Sequence, residues 1–79
     1  MHEVFHINAE NYQCPIPVLK LRKRLSLMAP LELVKMTATD QAALIDVPVF
    51  CAQEGHELLE IEPGEKLLTF LVRKKGPHG

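Results

Sequence analysis

The stretch Asn11-Tyr12-Gln13-Cys14-Pro15-Ile16-Pro17-Val18-Leu19 carries the residue best suited to chemistry, a thiol followed by two closely spaced prolines. Pro15 suits the first position of a helix, because its fixed φ matches the helix and an N–H there has no intrahelical partner. Pro17 still falls in the first turn, where a missing N–H costs nothing. A residue before proline is held out of the α region, which puts Cys14 in the cap position. A helix N-terminus presents partial positive charge and unpaired N–H groups. Both favour thiolate, so Cys14 is expected to have a lowered pKa and to act as a nucleophile. Lys20, Arg22, Lys23 and Arg24 follow, with no acid between Cys14 and Met28. These cations lie one to three turns away, which suits attraction of an anionic partner better than tuning of the sulfur. The plainer alternative is a turn and a helix, with Cys14 an idle cap.

The second cysteine, Cys51, aligns with Leu44 and Val47 at helical spacing and reads as a small core residue. Its alternative role is a resolving thiol for Cys14. Cys14, Cys51, His2, His6, His56 and His78 show no paired ligand spacing, so neither a metal nor another cofactor is expected. His56 is expected to help finish a helix through polar contacts with its last carbonyls.

The elements that must position Cys14 follow from hydrophobic period. Glu3 to Asn8 alternates, with Val4 and His6 on one face and Phe5 and Ile7 on the other, and predicts a strand. Ala9 to Gln13 is a polar loop in which Asn11 tolerates positive φ and makes the turn. Val18, Leu21, Leu25 and Met28 form the buried stripe of a helix from Pro15 to about Met28, ended by Ala29-Pro30. Lys20 and Lys23 fall on its opposite side. Glu32 to Thr39 predicts a second strand with Val34, Met36 and Ala38 facing the core. Asp40 then caps a second helix, Gln41 to Glu54, which Pro48 should kink or split, with Asp46 capping the second piece. Gly55 is a good stop. Glu57 to Glu62 and Lys66 to Lys74 predict a hairpin turning at Pro63-Gly64, with Leu59, Ile61, Leu68, Phe70 and Val72 inward. Leu58, Leu67 and Leu71 would lie on the outer face, either as plain surface or as a docking face.

The order β-α-β-α-β-β predicts an α+β two-layer α/β sandwich, a mixed four-stranded sheet with two helices on one face. Seventy-nine residues make one domain, 1–79, with 76–79 a frayed tail. At 47% hydrophobic and 24% charged the chain has the composition of a folded globule. Its net charge of −1 argues against a general polyanion binder. No apolar run approaches a membrane span. Met1-His2-Glu3 does not resemble a secretory signal and the cysteines are two, so a reducing, cytoplasmic setting is expected.

On Cys14-Pro15-Ile16-Pro17, Arg22-Lys23, Asp46-Val47-Pro48-Val49-Phe50-Cys51 and Gly55-His56-Glu57, the sequence resembles the TusA/SirA family of small sulfur-carrier proteins, over essentially its whole length. The resemblance implies a sulfurtransferase in which Cys14 carries sulfane sulfur as a persulfide. It implies Pro15, Pro17 and Asn11 as the frame of the site, and Lys20, Arg22, Lys23 and Arg24 as docking contacts. The implied partners are a cysteine desulfurase or other persulfide donor and a downstream relay protein, leading toward tRNA thiolation, cofactor sulfuration or sulfur oxidation. Many members carry Asp where Asn8 stands, Gly at Asn11 and Leu31, and a second acid near Gln41. Two other functions fit a domain of this class. One is an RNA-binding module using Lys20, Lys23 and Arg24, by a fold-level analogy. The other is a non-catalytic regulatory adaptor using the outer sheet face.

Overall fold

The computed structural model describes residues 4–76. Its elements run β1 (Val4–Ala9), α1 (Ile16–Ser26), β2 (Leu33–Ala38), α2 (Ala43–Glu54), β3 (Glu57–Glu62) and β4 (Leu68–Arg73). The sheet order is β1-β2-β4-β3. β1 pairs with β2 in parallel, and β4 is antiparallel to both β2 and β3. This is the expected mixed sheet with two helices. His2, His78, Glu3 and most of the expected tail lie outside the described residues.

The core forms where the helical stripes meet one face of the sheet. Leu21 and Leu25 of α1, Ala43, Val47, Phe50 and Cys51 of α2, and Val34, Met36, Ala38, Leu68, Phe70 and Val72 of the sheet are all buried. Met28 is buried beyond the end of α1, because the chain leaves the helix in a tighter turn, Leu27 N–H to Arg24 O and Met28 N–H to Leu25 O. Pro17, read from sequence only as a frame residue, is also in the core.

Three expectations change. Pro48 lies inside a single helix, so Asp46 does not cap a second piece. Interior proline costs a helix about 3 kcal/mol; here buried residues on both sides of Pro48, Ala43 and Val47 before it and Phe50 and Cys51 after it, hold both halves against the same sheet. The inward residues of β3 also shift. Leu58 pairs with Val72 and packs on the core, the register slips between Leu58 and Glu60, and Ile61 then pairs with Phe70. Leu59 is the extra residue of this bulge, and both it and Ile61 are exposed rather than inward, which breaks the strict alternation expected of the strand. Leu67 precedes β4 and is exposed rather than part of a sheet face.

The β1 and β2 loops leave the same end of the sheet because the two strands are parallel neighbours, with Ala9 beside Ala38. That end carries Cys14. At the opposite end, Leu31 turns the chain into β2 with φ 71°, its N–H bonded to Lys74 O at 3.0 Å. A left-handed conformation costs a side chain with a Cβ about 1–2 kcal/mol, and Leu31 is 54% exposed, so its packing returns little. Leu31→Gly is therefore expected to raise stability by up to about 1 kcal/mol, after the extra freedom glycine gives the unfolded chain. Leu31→Val, β-branched, should lower it; denaturant midpoints of the three proteins check both signs.

Candidate functional site

The site is built from two loops that are far apart in sequence. Asn11 adopts φ 68°, as its side chain allows, and turns the chain out of β1. Its N–H donates to Thr39 Oγ1 at 2.8 Å. The Cys14 N–H donates to Asp40 Oδ2, also at 2.8 Å, while Asp40 Oδ1 accepts the Ala42 N–H at 3.0 Å. Asp40 is therefore not the helix cap expected of it: α2 starts at Ala43 with Ala42 as its N-cap. It holds the turn before α2 with one oxygen and the cysteine loop with the other. Those bonds, to Cys14 first and Ala42 second, hold its carboxyl below the usual range.

Cys14 is half-buried and lies one residue outside the cap position expected for it. Pro15 is the N-cap, and Ile16 and Pro17 open the helix. The Cys14–Pro15 peptide is cis. The Ile16 N–H bonds Gln13 O at 2.9 Å, closing a tight turn, so the helix begins one residue later. This changes the electrostatics. Pro15 and Pro17 have no N–H and the Ile16 donor is taken, which strips the helix end of most of what would hold a thiolate. Burial first, then the nearby Asp46 carboxylate on α2 and the charge of Asp40, push the Cys14 thiol up to about 11. The expectation of a lowered pKa fails because it considered α1 alone; the acids arrive from α2 and its preceding loop. In the sequence Asp46 reads as a helix cap and as part of the family-like block around α2, and nothing local links it to Cys14.

Beside Asp46 a groove of about 340 Å³ opens between α1 and α2, lined by Pro15, Val18, Arg22, Val49, Phe50 and Gln53. The four cations of α1 divide across the helix. Arg22 turns toward α2, 3.9 Å from Glu54 and over the Phe50 ring. Lys20 lies over Tyr12 and Arg24 over Phe5, on the β1 side, and Lys23 is exposed with them along a second notch.

Cys51 is a free thiol buried in the core, where burial pushes it up to about 11. His56 helps finish α2 through its backbone: its N–H donates to Cys51 O at 3.0 Å, beside the Gly55 turn at φ 82°, while its ring Nδ1 accepts the Lys75 N–H at 3.1 Å. Burial first, then Lys74 and Lys75, lower the His56 pKa. Among the described residues no helix is long and apolar enough to cross a membrane, and no three His, Cys, Asp or Glu side chains gather as metal ligands would.

Known proteins share this pattern. A family model described as sulfurtransferase TusA matches residues 6–74. The sulfur carrier protein TusA of Pseudomonas aeruginosa is 36% identical over 69 residues, covering 87% of each chain. A putative sulfur carrier protein of Neisseria meningitidis is 32% identical over 87% of this chain and 93% of its own. The putative sulfur carrier protein YrkF of Bacillus subtilis is 31% identical over 91% of this chain, which spans 39% of that longer protein. With the family model spanning most of the chain and the Cys14 loop set at the start of α1, the chain belongs to the TusA family of sulfur carriers.

Proposed function

We propose that Cys14 accepts sulfane sulfur from a protein persulfide and relays it, as its own persulfide, to an acceptor protein. The observation that carries this reading is the contrast between the two thiols. Cys51 is sealed in the core, whereas Cys14 is partly exposed on a loop fixed from two sides. In the transfer the Cys14 sulfur attacks the outer sulfur of the donor's S–SH group. One S–S bond forms and one breaks, the donor sulfur leaves as thiolate, and no external oxidant or reductant is consumed. The Cys14 proton leaves as the new bond forms and a proton returns to the donor thiolate. The Asp46 carboxylate, near enough to raise the thiol's pKa, supports such a route as proton acceptor.

In this reading Asn11, Pro15 and Pro17 frame the thiol. Lys20, Arg22, Lys23 and Arg24 meet the partners, a cysteine desulfurase or other persulfide donor on one side and a downstream relay protein on the other. The sulfur then serves tRNA thiolation, cofactor sulfuration or sulfur oxidation, within the cytoplasm. The raised pKa has a use here. A carrier protonated at rest reacts slowly with stray electrophiles and oxidants, and gains reactivity where a docked partner offsets Asp46.

Incubation with a cysteine desulfurase and cysteine should add about 32 Da, one sulfur, to the wild-type chain, and reductant should remove it. Cys14→Ser should gain nothing, and Cys51→Ser should load normally; a gain that persists in Cys14→Ser would sink the proposal. Asp46→Asn removes a charge that raises the Cys14 pKa, so the midpoint of the pH profile for iodoacetamide alkylation should move down from about 11. An unmoved midpoint would show that Asp46 does not govern the thiol.

A further inference from the structure

β1 is an edge strand, and along its open edge runs a notch of about 260 Å³ between the strand and α1. His6, Ile7 and Asn8 all line it. Successive side chains of a strand point to opposite faces, so three consecutive residues share one cavity only where it faces the strand's backbone edge. The other wall is α1, which supplies Lys20, Lys23 and Arg24, with Leu27 at the end and 71% exposed. Among the described residues no carboxylate lines the notch and the ion pairs are Arg22–Glu54 and Arg73–Glu57, so none of these residues neutralises the three cations. Two of them are nevertheless held in place. The Lys20 ammonium stands 4.6 Å from the centre of the Tyr12 ring, and the Arg24 guanidinium 5.3 Å from that of Phe5.

We propose that this edge receives an extended acidic segment of a partner protein, laid along β1 beneath the three cations with an apolar side chain against Leu27. The inference rests on the carrier reading, in which the chain must meet protein partners. It divides the docking cations, assigning Lys20, Lys23 and Arg24 to this contact and leaving Arg22 to the groove beside Asp46. An unpaired strand edge offers backbone donors and acceptors to an added strand, and the cations select an acidic one. Lys20 rests on Tyr12, two residues before Cys14, so a segment bound here is tied to the loop that carries the thiol.

Two other occupants fit less well. The acidic β3 of a second copy has Glu57 already bonded to Arg73 at 2.6 Å and a bulge at Leu59 that breaks its edge. An RNA strand needs a longer basic track than one face of an eleven-residue helix provides, on a chain of net charge −1.

A labelled synthetic peptide of alternating glutamate and valine tests the proposal, by fluorescence anisotropy on the full chain. It should bind saturably and more weakly as salt is added. The triple variant Lys20→Glu, Lys23→Glu, Arg24→Glu should lose affinity about tenfold, the sum of three exposed pairs. Lys66→Glu, on the distant hairpin turn, should bind as wild type. Thermal melts establish that the variants fold, and the exposed Lys23→Glu alone, with a smaller loss of the same sign, keeps the test readable if the triple variant does not. Binding equal to wild type by the triple variant and by Lys23→Glu, equal binding of a glutamine-for-glutamate peptide, or tighter binding of oligouridylate would each overturn it. So would self-association in sedimentation that the triple variant abolishes, which would make a second copy the occupant. The assay reads binding alone and does not depend on sulfur loading, so its failure is separate from failure of the carrier reading.

Discussion

The site depends on one carboxylate. Asp40 accepts the Cys14 N–H with one oxygen and the Ala42 N–H with the other. It therefore joins the loop after β1 to the turn before α2. Charge-assisted bonds of this kind are shorter and stronger than neutral ones. The bridge is possible only because β1 and β2 are parallel and adjacent, so their exits lie side by side. Without it the cysteine loop would keep its Thr39 contact, the Thr37–Glu10 bond, the Lys20–Tyr12 contact and the tight turn into α1.

The prolines of the cysteine motif act in two directions. They start the helix, and they also remove N–H donors from the end that would otherwise stabilise a thiolate. The field at the sulfur is then set by Asp46 and Asp40 rather than by the helix. A sulfur carrier has to survive between partners as well as react with them. A protonated resting thiol, half-buried near two carboxylates, is consistent with the first need, and the open groove toward Arg22 with the second.

Helix α1 separates two surfaces. Its apolar stripe and Pro17 pack on the sheet, which fixes its rotation about its own axis. That rotation sends Arg22 toward α2 and Lys20, Lys23 and Arg24 toward β1. A run that is continuous in sequence becomes two contacts of different character, one mixed in charge beside the thiol and one wholly basic along a strand edge.

The sequence determined what depends on near neighbours. Helical and strand periods identified the six elements and most of the core, Asn11 and Gly55 marked left-handed turns, and the spacing of Cys51 placed it inside. These are properties of a residue and the few beside it. Tertiary structure decided what depends on which loops become neighbours. Asp40 meets a loop 26 residues away, Asp46 lies near the same thiol from another helix, and the bulge at Leu59 exchanges which leucine of β3 packs on the core. Strand order and register set those meetings, and a sequence period carries no information about them. The charge state of Cys14 therefore could not be read from its own motif, because the groups that control it arrive only when the sheet has assembled.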